Sequence, residues 1–205
     1  FVPQAVDDLI AIHGGNEIFT SRLEKLFTES SEITGDNVSA DITGLIGQYA
    51  HGNEPSHHIA YMFNHANQPW RTQYWARHIM DTQYNTTPNG LSGNEDCGQM
   101  SAWYVLSSIG LYPMNPASGE YEIGSPIFEK STIKLPENKT FMIEAEYVSH
   151  TNFYIQSATL NGKPFTKTTL SHQDILKGGT LHFVMGNKPN KNWGIKNKAQ
   201  QLTKK

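Results

Sequence analysis

The spacing of apolar residues changes once along this chain, and that change bounds what it can fold into. Up to about residue 110 the apolar positions recur at helical intervals; after Pro113 they alternate. Val6, Leu9 and Ile10 begin a first helix that Gly14-Gly15 closes, since glycine accepts the left-handed turn at a helix end. Phe19, Leu23, Leu26 and Phe27 share one face of a second, with Asn16 as its expected N-cap. Ile59, Met62, Phe63 and Ala66 mark a third that stops near Asn67 and Pro69. Arg71 to Gln83 reads as a fourth, with Trp75, Ile79 and Gln83 aligned. The last runs from about Gly98 to Ser108 and turns Met100, Trp103, Tyr104 and Ser107 inward. Antiparallel helices joined by long polar loops suit a helical barrel or toroid whose loops build a site at one end.

Beyond Pro113 short β-like runs follow at Ile127, Ile133–Leu135, Phe141–Ala145, Tyr154–Gln156, Thr159-Leu160 and Leu181–Phe183. Asn161-Gly162 predicts a tight hairpin, because both central residues of that turn need positive φ. The spacing fits an antiparallel sandwich. The expected class is therefore α+β, helical over residues 1–115 and β-rich over 116–205, with Lys191–Lys205 polar and frayed.

Charge follows the same division. Four of the sixteen Lys and Arg residues lie before residue 130, against fifteen of the nineteen acids. The lysines after it are scattered through strand patterns, which points to a solvated surface and not to nucleic acid. No apolar run approaches the roughly 20 residues that span a bilayer. A lone Cys97 excludes an internal disulfide and cysteine-based zinc clusters; it reads as a small buried filler. Phe1-Val2-Pro3-Gln4 enters an amphipathic pattern directly, as expected of a cut inside a longer protein.

Two segments concentrate polar chemistry. In Gln48-Tyr49-Ala50-His51-Gly52-Asn53-Glu54-Pro55-Ser56-His57-His58, Pro55 keeps Glu54 out of helical geometry, leaving Asn53 and Glu54 on a loop before a helix. Helical zinc motifs need two histidines one turn apart, and Pro55 interrupts the span from His51 to His57. The oxygens of Glu54, Asn53 and Gln48 suit a hard cation such as Ca2+ instead. A buried polar turn with capping histidines is the plainer alternative. In Gly93-Asn94-Glu95-Asp96-Cys97-Gly98-Gln99-Met100, adjacent carboxylates precede an apolar helix. Asn94 or Asp96 could cap that helix, and carboxylates in a glycine-rich loop also suit acid/base work on a sugar. Trp70, Trp75 and Trp103 read as core.

Together with Gln68-Pro69-Trp70, Ser101-Ala102-Trp103-Tyr104 and Tyr121-Glu122-Ile123-Gly124-Ser125-Pro126, these segments resemble glycoside hydrolase family 92, the calcium-dependent exo-α-mannosidases. The resemblance implies the C-terminal helices of an (α/α)6 barrel followed by a smaller antiparallel β region. It implies inverting removal of terminal mannose from glycans, with α-1,2 preference, by a secreted or periplasmic enzyme. Asp96 would be the general base, flanked by Glu95, with Asn94 orienting the water where the family often has a second aspartate. Glu54 and Gln48 would serve the Ca2+ ion, and His51, Asn53, His57, His58 and Gln99 would line the sugar site. The general acid would lie upstream, in the N-terminal portion of the same protein. A non-catalytic carbohydrate-binding module is the rival expectation.

Overall fold

The computed structural model describes residues 1–35, 39 and 42–195. Helix α1 (Val6–Ile12) ends at Gly14-Gly15, both at positive φ, and α2 (Asn16–Thr28) begins immediately. Asn16 is the first helical residue and not the cap, because Gly15, at φ 99, already turns the chain into the helix. A two-stranded ribbon, β1 (Leu45–Ile46) and β2 (Tyr49–Ala50), carries the chain to a 3-10 turn at Glu54–Ser56 and another at Ile59–Tyr61. Then come α3 (Met62–His65), α4 (Pro69–Gln83) and α5 (Gln99–Ser108). Their shared core is aromatic. Phe27 stacks on Trp75 at 4.4 Å and Tyr61 on Tyr112 at 4.8 Å, and Trp75 and Trp103 are buried as expected. Each such side chain gains roughly 1.5–3 kcal/mol from burial, which outweighs the modest helix propensity of aromatic residues.

Strand β3 (Leu111–Tyr112) pairs with β4 (Glu120–Ile123). Strands β5 (Lys130–Lys134), β6 (Thr140–Glu146), β7 (Tyr154–Leu160) and β8 (Lys163–Pro164) follow, then β9 (Thr169–Ser171), α6 (His172–Lys177) and β10 (Gly179–Gly186). The order β5-β6-β10-β7-β8 makes a five-stranded sheet, while β3-β4-β9 makes a smaller one. The predicted hairpin joins β7 to β8, with Asn161 at φ 52 and Gly162 at φ 76. Two expectations need correction. The larger sheet is mixed, because β10 runs parallel to β6 after α6 returns the chain to the same edge. Ile127 lies in no strand; its N–H bonds to the carbonyl of Ser108, the last residue of α5. Residues 196–205 of the expected frayed tail lie outside the described residues.

Helices and sheet are tied by buried polar contacts. The Gln73 side-chain oxygen accepts the Ile155 N–H at 3.0 Å. The Arg77 guanidinium donates to the carbonyls of Pro126 (3.1 Å) and Ser149 (2.9 Å). Asn64 donates to the Glu122 carboxylate at 2.8 Å and to the Ile123 carbonyl at 3.1 Å. Glu122 also receives His65 at 3.0 Å, and His65 reaches Asp7 at 3.1 Å with its other nitrogen, so α1, α3 and β4 share one charged cluster.

Candidate active site

Two loops meet before α5. The backbone of residues 51–52 bonds back to Thr43 and Gly44. Against it lies the loop 85–95, whose first half is pinched closed by the Tyr84–Leu91 bridge and by Asn85 N–H on the Gly90 carbonyl at 2.8 Å. Contact is at backbone distance. A Cβ on Gly93, which sits at φ +68, would stand 2.6 Å from the Gly52 carbonyl oxygen. Nothing larger than glycine fits there.

Asp96, Cys97 and Gly98 then follow at φ 48, 57 and 88. Successive left-handed residues cost roughly 1–2 kcal/mol each for the two that are not glycine, and strain of this kind concentrates at functional sites. Part of the cost is offset by Glu95, whose carboxylate accepts the Ser101 N–H at 3.0 Å and the Ser101 hydroxyl at 2.9 Å. Glu95 therefore caps α5, a role the sequence assigned to Asn94 or Asp96. Those two side chains are exposed. Cys97 is exposed too, where a buried filler was expected; the left-handed turn carries it outward.

The histidines divide. His51 is fully buried between Tyr49 and Tyr84. Tyr84 donates its proton to the Met100 carbonyl (3.1 Å), so the His51 Nε2–H must donate to the Tyr84 oxygen (2.7 Å), and His51 Nδ1 accepts from the Tyr49 hydroxyl (2.8 Å). His57 Nε2–H donates to the His51 carbonyl at 3.0 Å, and the Gln99 amide donates to His57 Nδ1 at 3.3 Å. Trp103 closes the group, its indole N–H on the His57 carbonyl at 3.0 Å and its ring edge-on to His51 at 4.5 Å. Burial, with His57 adding to it, pushes the His51 pKa down to about 3, and burial also lowers that of His57. Both rings are neutral at physiological pH.

His58 differs. It is 4% exposed, and its ring nitrogens make no side-chain hydrogen bond among the described residues, the Pro55 backbone being the polar group beside them. Burial pushes its pKa down to about 4. Asn53 and Glu54 are half-buried on the loop beside it. Gln48 is at the exposed turn of the β1–β2 ribbon, where its amide donates to the carbonyls of Ser30 and Glu32. Among the described residues no three His, Cys, Asp or Glu side chains converge on a metal position. The sequence-flagged residues His51, His57 and Gln99 thus come together with the loop carrying Glu54 and the turn carrying Asp96, whereas Gln48 faces α2. Tyr84 was not flagged; nothing local marks a tyrosine thirty-three residues from the histidine it holds.

The family model described as the glycosyl hydrolase family 92 catalytic domain matches residues 1–187. A family GH92 α-mannosidase from Bacteroides thetaiotaomicron superposes with a TM-score of 0.86 at 43% identity, over 96% of this chain and 25% of that one. Its complex with mannoimidazole gives 0.89 at 45% identity, over 96% and 26%. An inverting family GH92 mannosidase from B. thetaiotaomicron VPI-5482 gives 0.82 at 38%, over 95% and 27%. An uncharacterized secreted glycosidase of Arthroderma benhamiae is 34% identical over 95% of this chain and 23% of its own length. The chain spans about a quarter of the length of each of these relatives.

Proposed function

This chain belongs to glycosyl hydrolase family 92, and from that premise we propose that it forms one section of a calcium-dependent, inverting exo-α-mannosidase. The substrate is terminal mannose on glycans, in α-1,2 linkage by preference, and the enzyme acts outside the cytoplasm. The (α/α)6 barrel to which α1–α5 contribute is completed from beyond these 205 residues, as is the general acid. The observation that carries the reading is the backbone contact of Gly52 with Gly93, which sets the Glu54 loop against the Asp96 turn in a chain of this family.

In the mechanism, the Asp96 carboxylate takes a proton from a water molecule as that water attacks the anomeric carbon. Asn94 holds the water by its amide. The aglycone oxygen leaves with a proton from the general acid on the opposite face, at the separation of about 6.5–9.5 Å that inversion requires. His58 and Asn53 bond sugar hydroxyls, and the neutral His58 ring can both donate and accept there. Glu54 fits calcium in its donor chemistry, as a half-buried carboxylate at the head of the Glu54–Ser56 turn; Gln48, engaged with Ser30 and Glu32, does not. When bound, the ion would supply Lewis-acid anchoring of sugar hydroxyls, with Glu54 as the donor that this chain contributes.

The test is proton NMR of the full-length protein acting on α-1,2-mannobiose. β-Mannose as the first-formed anomer is expected; α-mannose first, or no release of mannose, would overturn the proposal.

A further inference from the structure

Resting on that reading, we propose that Gln99, His57 and His51 are positioning residues: two rings, each locked as the Nε2–H tautomer, form a rigid girder that fixes the start of α5, and with it the Asp96 turn, against the Glu54 loop. The hydrogen bonds leave no freedom in the proton positions. A carbonyl can only accept, so His57 Nε2 must carry hydrogen toward the His51 carbonyl, and Nδ1 must accept from Gln99. Met100, likewise, can only accept from Tyr84, which fixes the His51 proton on Nε2 and leaves Nδ1 for the Tyr49 hydroxyl. Two adjacent residues of α5, Gln99 by its side chain and Met100 by its carbonyl, are therefore the anchors of both chains.

The turn needs such support. Asp96 and Cys97 sit in left-handed backbone that they would leave if released. The Gln99 N–H donates to the Asp96 carbonyl at 3.2 Å, so the anchored residue bonds directly to the strained one. Sugar contact is not available to either ring, since His51 and His57 are 0% and 1% exposed and all four of their nitrogens are engaged. Their influence on turnover must pass through the placement of Asp96. Misplacement of a reacting group by about 1 Å can cost on the order of a hundredfold in rate.

Four proteins separate this from a merely structural role: full-length wild type, Gln99→Leu, His57→Leu and His57→Gln. The glutamine keeps a nitrogen donor near Nε2, facing the His51 carbonyl, while leucine keeps none. Expected is a kcat loss of roughly ten- to a hundredfold in both leucine variants, with KM within about twofold, and substantial recovery of kcat in His57→Gln. Unchanged kcat in folded Gln99→Leu overturns the girder, as does a large KM rise at constant kcat, which would mean direct sugar contact. Nitrogen-15 histidine NMR of the wild type, assigned with the His57 variants and His51→Asn, gives a reading that needs neither activity nor folded leucine variants. Neutral Nε2–H signals for both rings are expected, and an Nδ1–H or imidazolium signal for either overturns the proposal. A wild type that hydrolyses no α-mannoside would sink the mannosidase reading alone, leaving the ring tautomers to decide this one.

Discussion

The Gly52 carbonyl oxygen lies 2.6 Å from the place a Gly93 side chain would occupy. Through that one contact a loop bearing a carboxylate and three histidines meets a loop bearing two more carboxylates. Gly93 is fixed twice over, by this approach and by its φ of +68.

Gly93→Ala should therefore destabilise by about 1–3 kcal/mol, since the obstruction is backbone and not the end of a flexible side chain. Urea unfolding measures the loss, and kcat should fall with it as the loops separate. A neutral result would show that the loops can part without consequence.

Asp96→Asn should lower kcat by roughly 10²–10⁴-fold, the range for removing a general base. Affinity for mannoimidazole, measured by calorimetry, should change little. Turnover close to wild type would remove Asp96 from the mechanism.

Removing the Glu95 cap acts differently. Glu95→Ala forfeits both bonds to Ser101 and should cost about 1 kcal/mol of stability, with a smaller kcat loss than Asp96→Asn. Equal losses in the two variants would make Glu95 a participant in the chemistry.

Chelation is the metal test. Dialysis of the full-length protein against a calcium chelator should abolish hydrolysis and Ca2+ should restore it, with Glu54→Gln raising the Ca2+ concentration needed by at least about tenfold. Activity indifferent to the chelator excludes the ion from the reaction.

Stability should pass through a maximum near neutral pH, for two opposite reasons. Burial would lower the His65 pKa, but the carboxylates of Asp7 and Glu122 outweigh it and hold it at about 9, above the ordinary 6.5. Its contribution is full below pH 6.5 and is lost as pH rises towards 9, up to about 3 kcal/mol. His51, held down to about 3, contributes fully above pH 6.5 and loses its share as pH falls. Urea denaturation across the pH range should show both limbs, and His65→Gln should flatten only the alkaline one. An alkaline limb unchanged in that variant would assign it to another group.

The helices were legible because their apolar stripes are long and their ends carry glycine or proline, and the β7–β8 hairpin because Asn161-Gly162 names its own turn. The parallel pairing of β10 with β6 was not, since a strand's partner is set by packing across some forty residues and its alternating pattern is blind to direction. At the site, the two polar segments could be found from residue type. What each side chain does there could not: His51, His57 and Gln99 look like ligand donors in sequence, and only the distant Tyr84 and the carbonyl of Met100 reveal where their protons go. Nor does sequence separate Glu95 from Asp96, because adjacent acids look alike until one of them is seen bonding to Ser101.

The position of β10 has a consequence for assembly. It is the last strand among the described residues yet lies at the centre of its sheet, between β6 and β7. Before it arrives, β5-β6 and β7-β8 are two separate hairpins, each with an open edge, and isolated hairpins are marginal in water. On a ribosome the sheet that supports α4 through Gln73 and Ile155 can close only once residue 186 has emerged, so truncation a few residues short of it should leave the whole layer unformed.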